Sequence, residues 1–263
     1  MSADRVAALA AGHEANVAYL SALTAEEWAT PSRCPGWTVK DVVSHMGAAY
    51  HGAFTPWFIK LMLGKDIEAA NNADVAKRQE WPGSRVLTEY AVWGKRFRPM
   101  AKALQAPPLR ALPIKVAEVG TYPAAILTSA FVFDHTLHVT HDIAGAIGRP
   151  APQPDANMVT VGTEWMMLGL PAMSGDRLSW LTGPVELDLV GPGGSVWTVG
   201  PGGKNGRVRV TEGAAGQAAA AISGDAATFG VWGTGRAPWR ESGVNIKGDD
   251  ELGAKFLDST RII

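Results

Sequence analysis

Phe133-Asp134-His135-Thr136-Leu137-His138-Val139-Thr140-His141-Asp142 places three imidazoles and two carboxylates in ten residues of an otherwise apolar, helix-forming stretch. The chain has 6 His in all, so half of them sit in this run. On a helix, Asp134 and His138 are i,i+4 neighbours on one face, and His138 and Asp142 are the next such pair. Two ligands one turn apart, completed by a third from elsewhere, make a metal site. The competing reading is a polar helix face with scattered histidines.

Working outward, the helix carrying the run extends from about Pro123 to Ile147 and stops at Gly148-Arg149-Pro150. Upstream, Val6 to Leu23 has apolar residues at helical spacing. Thr24 and Glu27 form a capping box for a short segment. Pro31 to Gly36 reads as a turn, after which Thr38 caps a second helix, with Asp41 at the matching third position and His45 on that helix. Gly83-Ser84-Arg85 precedes a third helix, from about Val86 to Ala103, and the prolines of residues 106–123 mark a long connection.

After Pro150 the pattern changes. Ala156–Gly169 reads as a helix. Val185 to Val190 then alternates with period two, Gly191-Pro192-Gly193-Gly194 turns, and Ser195 to Val199 returns. Arg207–Val210 reads as a third strand and Gln217–Ser223 as a short helix. Phe229–Trp232 and Val244–Lys247 suggest a further strand and a late element, and Asp249–Leu257 is a final helix. The fold class is therefore α+β in two domains: a helical domain at 1–152 and a smaller α+β domain at 153–263, with a linker at about 149–156.

With 46% hydrophobic and 19% charged residues, the composition is globular. A net charge of -1 provides no electrostatic footprint for nucleic acid or an anionic membrane. A single cysteine, Cys34, excludes an internal disulfide and fits a reducing compartment. Charged residues interrupt the first twenty positions too often for a signal-peptide core, and no apolar run is long enough to span a bilayer. The expectation is a cytoplasmic protein.

The segment Trp28-Ala29-Thr30-Pro31-Ser32-Arg33-Cys34-Pro35-Gly36-Trp37-Thr38-Val39-Lys40-Asp41-Val42-Val43-Ser44-His45 resembles the opening signature of the DinB-like, mycothiol-dependent maleylpyruvate isomerase family. Asp134-x-x-x-His138, followed by Asp142 to Gly148, resembles that family's second motif. The strands at 185–199 and Gly233-Thr234-Gly235-Arg236 resemble its C-terminal domain. The resemblance implies a four-helix bundle followed by a sterol-carrier-protein-like α+β domain. It implies a divalent metal, zinc, held by His45, Asp134 and His138. It also implies mycothiol as thiol cosubstrate, and Arg236 in a catalytic role near the active site, gripping a substrate carboxylate.

This chain departs from the family in two places. Asp134 stands where the family has Glu, one methylene longer. The family's Asp lies three residues after the metal His, where this chain has His141; Asp142 falls at four. A π-bulge would absorb the extra residue. Otherwise the ligand set recruits His141 or Asp142. His135 points to another face than Asp134 and reads as a surface group or a group behind the ligands. His51 reads as capping or surface, Trp28 and Trp37 as packing the turn between helices, and Cys34 as an inert cysteine.

The function expected is metal-dependent isomerisation or S-transfer on a small electrophilic substrate by a low-molecular-weight thiol. Two other readings stay open: a non-catalytic metal-binding carrier of an apolar ligand, and a metal-dependent hydrolase.

Overall fold

The computed structural model describes residues 4–56, 58–59 and 64–262. It divides into two compact units, Asp4–Pro154 and the chain from Asp155 onward.

The first unit is built on helices. They are α1 (Arg5–Ser21), α2 (Ala25–Ala29), α3 (Val39–Gly52), α4 (Ile67–Ala76), α5 (Gly83–Leu104) and α6 (Leu127–Leu137); α6 runs on through a π-helical segment, His138–Ile143, into α7 (Ala144–Ile147). Local chemistry sets the starts. Thr24 and Thr38 each accept from the backbone N–H three residues on, and Glu27 and Asp41 each return a carboxylate to the cap's own N–H. The stop after α7 is Gly148 at φ +68, a left-handed cap that costs glycine little.

α3 packs against α5, and α1 packs against both α5 and α6. Tyr50, Tyr90, Phe97, Leu20 and Met46 are fully buried between them. α1 and α5 approach most closely at Gly94, where an added Cβ would lie 2.2 Å from His13 Nε2. A buried ion pair ties α5 to the turn after α4: Arg78 Nε and Nη2 donate to Glu89 Oε2 and Oε1 at 2.6 and 2.7 Å.

The second unit opens with α8 (Ala156–Met173), capped by Asp155. Its five-stranded sheet has the order β5-β4-β3-β6-β7, from β3 (Val185–Val190), β4 (Val196–Gly200), β5 (Arg209–Glu212), β6 (Ala220–Asp225) and β7 (Asn245–Gly248). The central β3/β6 pair is parallel and the other pairings are antiparallel. Alternation on β3 buries Val185, Leu187 and Leu189, as the period-two pattern predicts. α9 (Phe229–Gly233) follows β6, and α10 (Asp250–Ser259) packs on β6 and β7. The strands β1 (Pro113–Val116) and β2 (Gly120–Pro123) pair as a hairpin in the first unit, outside this sheet.

A helical unit followed by a sheet-containing unit is the expected α+β class. Four local readings need correction. Gln217–Ser223, read as a helix, lies mostly in strand β6, because Ala220 and Ile222 are buried beside Val185 and Leu187 of β3. Phe229–Trp232, read as a strand, is helix α9 behind a turn that Asp225 caps. The connection at 106–123 contains the hairpin just described. The helix expected from about Pro123 begins at Leu127, after a 3-10 turn at Ala124–Ile126. The sequence reading also passed over α4.

Candidate metal centre

The Thr38 cap starts α3 so that His45, two turns in, faces the bundle interior, and α6 with the π-helical segment after it brings Asp134 and His138 to meet it. His45 Nε2 lies 3.5 Å from Asp134 Oδ2. His138 Nε2 lies 3.4 Å from Asp134 Oδ1. The two imidazoles meet edge to face with centroids 5.3 Å apart. Ligands ~2.1 Å from a tetrahedral ion stand ~3.4 Å from one another. Each histidine thus stands near that spacing from one of the two carboxylate oxygens, and one donor atom from each of the three residues lies within 4.8 Å of the others. The two histidine side chains are 11% and 8% exposed, whereas Asp134 keeps 40% of its side chain open. The set is thus reachable from one side. Two imidazoles and a carboxylate suit zinc.

The π-helical turn falls where the extra residue predicts it. It places Asp142, which is 1% exposed, beside the other nitrogen of the His138 ring, with Nδ1 to Oδ2 at 2.8 Å. The Arg33 backbone N–H donates to the Asp142 carbonyl, pinning the 31–36 turn to this segment. His141 is turned aside, with Nδ1 3.4 Å from Arg33 Nη1. Of the two alternates, Asp142 adjoins the cluster through His138, and His141 lies beside Arg33.

Charge follows from this geometry. Burial alone would push the His138 pKa down. The carboxylates of Asp134 and Asp142 outweigh it, with a smaller contribution from the Cys34 thiol, and hold His138 well above the usual imidazole range. Burial would raise the Asp134 carboxyl; the facing His138 and His45 hold it well below the usual carboxylate range.

Cys34 is half-buried, with Sγ 3.7 Å from His138 Nδ1, and Cys34, His138 and Asp142 form a second group of donor atoms. Thiol and carboxylate address the same ring nitrogen. A thiol–imidazole–carboxylate relay needs opposite nitrogens, so this group is not one. The sequence reading treated Cys34 as inert and had no signal for its nearness to His138.

His135 is not a surface group. It is 3% exposed and enclosed by Tyr50, Tyr90 and Phe131, with ring centroids 4.5, 5.5 and 5.5 Å away. Burial pushes its pKa down to about 3 against the opposing pull of Asp134. His51 lies apart from the cluster, bonded to Glu89 and stacked on Trp93. Trp37 does more than pack the turn: its ring lies 5.4 Å from that of His45, and its Nε1 donates to Asn72. In the second unit, Arg236 is exposed on the turn after α9, and its Nη1 donates to Thr234 Oγ1 at 3.2 Å.

Comparison with known proteins places this geometry in context. Residues 9–144 match the family model described as the mycothiol maleylpyruvate isomerase N-terminal domain. No curated protein matches the chain. Among solved structures, the crystal structure of a mycothiol-dependent maleylpyruvate isomerase aligns with a TM-score of 0.57 at 15% identity, over 92% of this chain and 91% of that one. A structure of that enzyme with one histidine replaced by alanine aligns with a TM-score of 0.51 at 16% identity, over the same shares. At these identities the likeness is one of fold.

Proposed function

This chain belongs to the mycothiol maleylpyruvate isomerase N-terminal domain family, and we propose that it is a metal-dependent enzyme using a low-molecular-weight thiol, mycothiol, on a small electrophilic, anionic substrate. The observation that carries the reading is the convergence of His45, Asp134 and His138, with an Asp134 oxygen 3.5 Å from one imidazole nitrogen and 3.4 Å from the other. These three residues would hold the ion, zinc by the chemistry of the donor set. Three protein ligands rather than four leave a position for a fourth partner, the pattern of a catalytic site. When bound, the metal supplies Lewis acidity that keeps a thiol deprotonated at neutral pH.

The chain's own residues orient and enclose. Asp142 accepts from His138 Nδ1–H, so the Nε2 lone pair points into the site. The Trp37 ring lies beside His45 and shields one side from water. The Arg236 guanidinium, exposed in the second unit, is a planar fork of the kind that pairs with a carboxylate. The chemistry favoured is isomerisation. Thiolate sulfur bonds to one alkene carbon as the π pair moves into a conjugated carbonyl. The former double bond rotates, and the pair returns and expels the thiolate. No atom is gained or lost, and the thiol is regenerated. S-transfer differs only in that a leaving group departs instead.

The test has two parts. Metal content is measured in wild type and in His45→Ala, which should lose the ion while keeping its circular dichroism spectrum. Turnover of maleylpyruvate is then followed with and without mycothiol. Thiol-dependent turnover lost with the metal supports the reading. Metal-dependent turnover without thiol replaces it with hydrolysis, and a bound apolar ligand with no turnover replaces it with a carrier.

A further inference from the structure

His135 is the odd residue of the bundle core. Neither of its ring nitrogens has a hydrogen-bond partner among the described residues, although the residue is 3% exposed. Buried polar atoms are nearly always paired, so an orphan requires a reason. Packing is not a sufficient one. Tyr50, Tyr90 and Phe131 surround the ring with faces and edges, and a phenyl group would satisfy such a cage without leaving polar atoms unpaired. A neutral imidazole carries one N–H donor and one acceptor nitrogen. Its Nε2 lies 3.8 Å from Asp134 Oδ2. That is too long for a hydrogen bond and within roughly an ångström of one. The same oxygen lies 3.5 Å from His45 Nε2, so it belongs to the ligand cluster.

We propose that His135 is a positioning residue for the metal centre, its Nε2–H donating to Asp134 Oδ2 and fixing the carboxylate once a metal is bound. The inference rests on the reading that Asp134 is a metal ligand. A carboxylate oxygen has two lone pairs, so it can accept from His135 and still face the ion. Aspartate is one methylene shorter than glutamate and stays close to its own helix, within reach of the next residue's ring. The partner ring is held among Tyr50, Tyr90 and Phe131, and neither of its nitrogens is hydrogen-bonded there. Hydrogen bonds of this kind behind metal ligands orient them and set affinity.

The experiment uses the full chain, stripped with chelator and titrated with zinc against a chromophoric competitor, for wild type, His45→Ala, His135→Phe and His135→Gln. Apo melting temperatures are recorded in parallel. His135→Phe should bind zinc ~10–100-fold more weakly, with an apo melting temperature at or above wild type, because it removes the orphaned polar atoms. His135→Gln, which keeps an N–H donor, should bind within a few-fold of wild type. If the phenyl ring proves too large to fold, His135→Leu carries the same expectation. Wild-type affinity in the Phe or Leu variant overturns the inference. So does an equal loss in Phe and Gln that tracks a lower melting temperature, since a merely structural role behaves that way. Wild-type protein that binds no zinc overturns the metal reading itself, whereas zinc binding that His45→Ala abolishes and His135→Phe leaves intact overturns this inference alone.

Discussion

The buried pair of Arg78 and Glu89 gives the sharpest test of what holds the helical unit together. Their side chains are 10% and 6% exposed, and the contact is bidentate at 2.6 and 2.7 Å. Arg78 Nη1 also donates to the Asp74 carbonyl, and His51 Nδ1 reaches Glu89 Oε1 at 2.9 Å. Replacing Arg78 by Met leaves the Glu89 charge buried with only the partly exposed His51 beside it. Breaking such a pair from one side costs ~3–5 kcal/mol. The sign of the pH dependence should also change. In wild type, burial tends to raise the Glu89 pKa, but Arg78 and His51 hold it below its ordinary 4.5. That contribution is present above 4.5 and is lost as pH falls through the lowered folded value. In Arg78→Met the upward push of burial is no longer opposed by the guanidinium. The folded value then exceeds 4.5, and stability is lost as pH rises. The gap between variant and wild type should therefore be widest at pH 7 and narrow toward pH 4. Urea unfolding at several pH values measures it. Arg78→Met/Glu89→Leu should recover most of the loss, because an apolar pair of similar volume carries no desolvation cost. A gap below ~1 kcal/mol at pH 7, or one that ignores pH, would refute the reasoning.

Gly94→Ala should destabilise the helical unit by ~1–3 kcal/mol by driving a methyl into the His13 ring, and adding His13→Ala should return much of it in a denaturant titration. Asp142→Asn, which keeps an acceptor at His138 Nδ1 and removes its charge, should weaken zinc binding by ~10-fold in the competition assay, and Asp142→Ala by up to ~100-fold. Chelation should leave the far-ultraviolet circular dichroism of the chain unchanged, because the fully buried Tyr50, Tyr90 and Phe97 hold the helices together by apolar packing.

The features legible in the sequence are those set by neighbours along the chain. Thr24 with Glu27 and Thr38 with Asp41 announce their caps, and Gly148 its stop. A one-residue excess between His138 and Asp142 announces the π turn. The alternation of 185–199 announces β3 and β4. What stayed hidden depends on partners distant in sequence. The alanines of 217–221 favour helix locally, yet pairing with β3 draws Ala220 and Ile222 into a strand. A helical wheel separates His135 from Asp134, but it cannot show that α6 is covered on that face too, by Tyr50 of α3 and Tyr90 of α5. Arg78 and Glu89 lie on different sides of a turn, and no periodicity links them.

The arrangement around His138 bears on where the reacting thiol comes from. The chain has one cysteine of its own, and it sits near the cluster. For His138 to activate Cys34 as a nucleophile, the ring nitrogen nearest the sulfur would have to be free to take its proton. That nitrogen is engaged by Asp142 at 2.8 Å, against 3.7 Å for the sulfur. With a metal on the Nε2 side, Asp142 would fix the Nδ1 proton and leave no basic nitrogen of this ring for Cys34. The geometry therefore favours a thiol that arrives from outside the chain, as the proposed cosubstrate does. Cys34→Ser should accordingly keep thiol-dependent turnover within a few-fold of wild type. Loss of turnover in that variant, with zinc content intact, would move the nucleophile into the protein and remove the need for a second thiol.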